Sequence, residues 1–150
     1  MRRSRSLRGS PDEYGIAHRP AEDGAPLHDL TQDVPADVYR HPDWYTGFPE
    51  WLPEVMPKVR GARGRPSKAI NVFRAGPTEE LNNGDWISLS KSYTNAHRDR
   101  EDPNSYKTCS FTVDAREVRF AGDDLMEWGY FGPARKATGC QKKRKSRRKP

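Results

Sequence analysis

Lys107-Thr108-Cys109-Ser110-Phe111-Thr112-Val113 is the stretch from which the fold can be read. Apolar and polar side chains alternate through it, and β-branched and aromatic residues fill it, as in a half-buried strand. The same period returns on either side. Upstream, Ala69-Ile70-Asn71-Val72-Phe73-Arg74-Ala75 alternates, and so does Asp85-Trp86-Ile87-Ser88-Leu89-Ser90 after the turn signal Asn82-Asn83-Gly84. Downstream, Val118-Arg119-Phe120 is shorter, and Gly122-Asp123-Asp124 turns the chain before Met126-Glu127-Trp128-Gly129-Tyr130-Phe131. Ser92 to His97 reads as a short helix and Arg98 to Ser105 as a polar loop. With about five short strands and little helix between them, residues 67–134 predict the β-rich part of an α+β domain, its sheet mostly antiparallel.

Residues 11–66 have a different texture. They hold nine of the 13 prolines, interleaved with Tyr39, Trp44, Tyr45, Phe48 and Trp51. Proline this dense interrupts helices and ladders alike. Turns and short helices are expected, over about 35–40 and 49–57, laid against the sheet. Gly61-Ala62-Arg63-Gly64-Arg65-Pro66 reads as a joint. The aromatics would supply most of the burial, since each large ring removes roughly 150–250 Å² from water.

The 150 residues suit one domain. Hydrophobic residues make up 33% and charged residues 32%, and the mean hydropathy is −1.07. No apolar run approaches the roughly 20 residues of a membrane span. The basic start, Met1-Arg2-Arg3-Ser4-Arg5-Ser6-Leu7-Arg8, leads into no apolar segment, so a cytoplasmic protein without a secretory signal is expected. The net charge of +6 divides unevenly. Residues 1–10 carry four basic side chains and 135–150 carry nine, with no acid in either. The remaining 14 basic residues face all 21 acidic ones, so the body of the chain is acidic, at −7. The expected organisation is a basic arm over 1–10, one domain over 11–134 and a basic tail over 135–150, both ends disordered by self-repulsion.

Several chemistries fall away. There is no Gly-x-x-x-x-Gly-Lys-Ser/Thr phosphate loop and no Gly-x-Gly-x-x-Gly opening a βαβ unit. His18, His28, His41 and His97 are scattered, so no metal is expected. Two cysteines exclude a disulfide scaffold and a four-thiolate zinc site, and Cys109, in its apolar strand, is expected as a buried inert thiol. What stands out is a spaced trio. Arg74 ends one strand, Ser88-Leu89-Ser90 ends the next, and Glu127 begins a late one. Each alone has a plain explanation: a solvated arginine at a rim, a helix cap at Ser90, a surface charge beside Trp128.

Together, Val72-Phe73-Arg74-Ala75-Gly76-Pro77, Gly84-Asp85-Trp86-Ile87-Ser88-Leu89-Ser90 with Tyr93 and His97 behind it, and Glu127-Trp128-Gly129-Tyr130 resemble the Arg–Ser–Glu class of mono-ADP-ribosyltransferases. The chain is most similar to the small members carried by actinobacterial phages, and Asp23-Gly24-Ala25-Pro26-Leu27-His28-Asp29-Leu30 resembles the leader that often precedes that domain. The resemblance implies a split sheet of the ADP-ribosyltransferase type. It implies an enzyme that takes NAD as substrate, moves ADP-ribose to a protein or nucleic-acid acceptor and releases nicotinamide. By that resemblance Glu127 is the catalytic carboxylate, and Arg74, Ser88, Ser90 and Tyr93 belong to the NAD side. Arg74 would grip phosphate or ribose, Ser88 would hydrogen-bond Glu127, and Ser90 would also cap the helix. The middle motif is commonly Ser-Thr-Ser in the family and is Ser88-Leu89-Ser90 here. Members that modify arginine carry a second glutamate two residues before the catalytic one, where this chain has Leu125.

The tail is a separate feature. Lys142, Lys143, Arg144, Lys145, Arg147, Arg148 and Lys149 suit non-specific contact with nucleic acid through counterion release. No apolar face accompanies them, so a membrane partner is not expected, and the chain is expected to be a monomer. The competing reading is a non-catalytic, basic-tailed protein associated with nucleic acid. It gives no reason for Arg74, Ser88 and Glu127 to meet.

Overall fold

The computed structural model describes residues 19–121 and 123–142. They form an α+β domain whose strand pairings are all antiparallel. β1 (Ala69–Gly76) pairs along its length with β4 (Lys107–Asp114), and β8 (Gly139–Lys142) pairs with the other edge of β4. A second sheet has the order β3 (Asp85–Ile87), β6 (Trp128–Tyr130), β5 (Val118–Phe120). A small ribbon joins β2 (Glu80–Leu81) to β7 (Arg135–Lys136). The two larger sheets meet at one point. Phe73 of β1 and Ser88, just past β3, exchange both backbone hydrogen bonds at 2.9 Å.

The alternation seen in the sequence recurs as alternating burial over Ala69–Val72 of β1 and Ser110–Asp114 of β4. Ile70 and Val72 of β1 and Phe111 and Val113 of β4 enter the core. Trp128 and Tyr130 of β6 are wholly buried, and Phe120 meets Trp128 edge to face at 5.3 Å. The chain before the first sheet adds a further pairing. Pro26 bridges Arg119, with Leu27 N–H donating to Val118 O and Phe120 N–H to Ala25 O, both at 2.8 Å.

The proline-rich half forms four short 3-10 turns, Leu30–Gln32, Ala36–Tyr39, Pro42–Tyr45 and Pro49–Trp51, followed by helix α1 (Leu52–Ala62). The helix runs past the expected end at 57, although Pro57 lies inside it. Val55, Met56, Val59 and Ala62 are buried at helical spacing, and that packing outweighs the backbone bond Pro57 cannot make. Helix α2 (Lys91–Glu101) likewise covers much of the expected loop after His97. Its last turns show almost no apolar stripe in the sequence. They are held by the buried Arg98, which donates to Thr108 Oγ1 and to the Gln141 carbonyl, both at 3.2 Å.

Two further expectations need correction. Cys109 is bonded to Cys140 in a disulfide, because β8 brings Cys140 directly opposite it in register. The basic tail does not begin at 135. Arg135 donates to both carboxylate oxygens of Glu117, at 2.8 and 3.0 Å, and to the Tyr130 hydroxyl, so residues 135–142 belong to the fold. Lys142 ends β8, exposed. The basic arm 1–10 and Lys143, Arg144, Lys145, Arg147, Arg148 and Lys149 lie outside the described residues. Among the described residues, no helix is long and apolar enough to cross a membrane.

Gly24 is the tightest backbone approach in the N-terminal pairing: a Cβ there would sit 2.0 Å from the Phe120 carbonyl oxygen. Neither side of that contact is a flexible side chain. Gly24→Ala is expected to destabilise the fold by about 3 kcal/mol, since overpacking forces backbone shifts. Urea denaturation checks this, and an unchanged midpoint would contradict the pairing of residues 24–27 with β5.

Candidate active site

Two strand pairings bring the trio together. Arg74 follows Phe73, the residue that bridges the sheets. Ser88 is the other half of that bridge. Glu127 precedes Trp128, which pairs with Ile87, the neighbour of Ser88. Arg74 and Ser88 are thus at, or one step from, the pair across the split, and Glu127 is one step from the Ile87–Trp128 pair inside the second sheet. All three line one cavity of about 520 Å³, together with Tyr93, His97 and Arg100 from α2.

Glu127 is held by Tyr93, whose hydroxyl donates to its Oε2 at 2.6 Å. Burial, and then the carboxylate itself, push the Tyr93 phenol well above its ordinary range, so it stays a protonated donor at neutral pH. This corrects the expected Ser88–Glu127 hydrogen bond. Ser88 is buried at the sheet junction, and its Oγ accepts from the Ser90 N–H at 3.1 Å instead. Ser90 caps α2 as expected, its Oγ accepting from the Tyr93 N–H at 3.0 Å. It does not line the cavity, so its assignment to the NAD side is not reproduced in the geometry. Leu125 is wholly buried, and no polar group stands at that position.

Arg74 reaches the cavity with about a fifth of its side chain exposed, its Nε 3.4 Å from Asp85 Oδ2. Partly exposed, monodentate pairs of this kind add little stability, and here the pair orients the guanidinium. Gly76 leaves it room: a Cβ there would come within 2.8 Å of Arg74 Nη1.

The proline-rich half supplies supports that the sequence did not reveal. Glu54 of α1 accepts from the Ser90 hydroxyl at 2.9 Å, the Ser92 N–H at 3.0 Å and the Ser92 hydroxyl at 2.5 Å. A carboxylate here satisfies the open N–H groups of the first turn of α2. Burial acts to raise its pKa, and the hydrogen bonds from Ser92 and Ser90 outweigh that and lower it. Phe48 and Trp51 pack edge-on against Tyr93, at 5.2 and 6.1 Å between ring centres. Asp124 accepts from Thr46 Oγ1, the Gly47 N–H and the Met126 N–H, tying the Phe48 loop to the Glu127 loop. The only sequence signal for Glu54 was the pair of hydroxyls at Ser90 and Ser92, each needing a partner at a helix start.

Lys58 ties the same helix to both strands of the junction. Its Nζ donates to the Asn71 carbonyl at 2.7 Å and the Leu89 carbonyl at 3.0 Å and lies 4.7 Å from the Phe73 ring centre. Burial lowers its pKa to about 8, opposed by the nearby Glu54 carboxylate.

Among the described residues, no group of three or more His, Cys, Asp or Glu side chains is placed to hold a metal ion. Comparison of the chain with family models, curated proteins and solved structures gives no match.

The Lys58 environment sets a pH dependence. Lysine in the unfolded chain titrates near 10.5, against about 8 in the fold. Between those values the unfolded chain binds more protons, so this group makes stability rise with pH across that window. The gain is complete above the unfolded pKa and lost as pH falls through the folded one. The urea midpoint is expected to climb between pH 8 and 10 in the wild type and to lose that climb in Lys58→Met. Parallel pH profiles for the two proteins would contradict the assignment.

Proposed function

We propose that this chain is an NAD-consuming mono-ADP-ribosyltransferase of the Arg–Ser–Glu class, built on the split sheet of that family. The observation that carries the reading is the convergence of Arg74, Ser88 and Glu127 from three separate strand ends on one cavity. A charged adaptor with a passive scaffold has no need of that arrangement.

The chemistry follows from what each group can do. The bond between the nicotinamide nitrogen and ribose C1′ breaks, and its electron pair leaves with nicotinamide. The sugar becomes an oxocarbenium-like cation. The Glu127 carboxylate stabilises that charge, and fixed negative charge of this kind serves glycoside hydrolysis in the same way. Tyr93 keeps the carboxylate in one orientation, so little reorganisation is needed when the charge develops. Arg74 offers a planar fork of donors to the NAD phosphates. An acceptor nucleophile on a protein or nucleic acid then closes on C1′. With Leu125 in the core, the site has no second carboxylate there to polarise a guanidinium, which favours an acceptor other than arginine.

Glu127→Gln keeps the shape and the Tyr93 contact site while removing the charge. Nicotinamide release from NAD, measured with and without a cell lysate as acceptor source, is expected to fall on the order of 10²-fold, the usual effect of removing one transition-state electrostatic partner. Turnover equal to wild type would remove Glu127 from the mechanism. Absence of release from the wild type under both conditions would overturn the reading as a whole.

A further inference from the structure

Strand β8 is an unusual piece of this fold. It is the outer strand of its sheet, four residues long, with every residue exposed. Strands so short and so open are marginal on their own backbone bonds. Besides hydrogen bonds between Thr138 and Ser110 at its start, it is fastened by the bond from the exposed Cys140 to the buried Cys109. On the row beside it, the Gln141 carbonyl accepts from the buried Arg98 of α2.

Both attachments lead to the cavity. Cys109 faces Arg74 directly across the β1–β4 register, so Arg74, Cys109 and Cys140 form one row across the sheet. Directly opposed residues on antiparallel strands share a face. Arg98 lies on the helix that also carries Tyr93, His97 and Arg100.

We propose that the Cys109–Cys140 bond is a redox latch on the C-terminal strand, and that its reduction unfastens β8 and loosens the α2 wall of the cavity. The reductant is a dithiol. One of its thiolates attacks the exposed Cys140 sulfur, and Cys109 leaves as a thiolate and takes up a proton. The second thiol of the reductant then displaces Cys140. The two cysteines end as thiols, reduced by two electrons, and the dithiol ends as its own disulfide. Released from β4, strand β8 withdraws the Gln141 carbonyl from Arg98, and a buried guanidinium that loses a partner draws water into the end of α2. An oxidising setting keeps the strand fastened and a reducing one opens it. The inference stands independently of the transferase reading.

Hydrogen exchange followed by mass spectrometry tests it on the full chain. Air-oxidised protein is compared with protein reduced by dithiothreitol and alkylated, and with Cys140→Ser. Reduction is expected to speed amide exchange about tenfold or more at residues 138–142, 107–110 and 96–101, while β3, β5 and β6 keep their oxidised rates. Cys140→Ser should match the reduced wild type and ignore dithiothreitol; should it fail to fold, the alkylated wild type carries the comparison. Three outcomes would overturn the proposal. Unchanged exchange at 138–142 after reduction would show that the bond is not what holds the strand. Uniformly fast exchange would make it a staple of the whole fold. Uptake of two alkyl groups without reductant would mean that the bond does not form.

Discussion

Two backbone hydrogen bonds between Phe73 and Ser88 join the sheet of β1, β4 and β8 to the sheet of β3, β6 and β5. Without that junction, Arg74 would sit at the end of one sheet and Glu127 at the start of a strand in another. With it, the serine that completes the trio is itself part of the seam. Placing the site on paired strands gives it the rigidity that loops lack. The geometry therefore follows from register: a shift of one residue in either strand would turn Arg74 or Ser88 to the opposite face.

The seam does not stand alone. Lys58 bonds the carbonyls of Asn71 and Leu89 on either side of it, and Glu54, one turn earlier on the same helix, secures the start of α2. Phe48 and Trp51 hold the Tyr93 ring, and Tyr93 holds Glu127. The proline-rich half thus acts on the cavity through α2 without lining it. A half-buried lysine and a half-buried carboxylate on one helix also show why that half carries short turns: they place α1 across the seam, where its polar side chains meet open backbone groups.

The five main strands were legible because each alternates with period two, and that period survives on a single sequence. The trio was legible as a set of residues at strand ends. The rest depended on long-range pairing that no local pattern encodes. The resemblance pairs Ser88 with Glu127, but Ser88 is buried in the seam, and Tyr93 reaches the carboxylate because Ser90 starts the helix three residues earlier. The end of α2 read as a loop since its anchor, Arg98, is a charged residue whose partners lie in β4 and β8. Cys140 sat in what looked like a charged tail, and only the pairing of β8 with β4 sets it against Cys109.

In the proposed enzyme, three separated stretches of polypeptide form one NAD pocket. The most direct measurement is the backbone amide footprint of saturating NAD on Glu127→Gln, in which turnover is suppressed. The account predicts simultaneous protection of residues 72–76, 86–93 and 125–128, with strand β8 unaffected. Protection confined to one of these stretches, or absent from all of them, would contradict it.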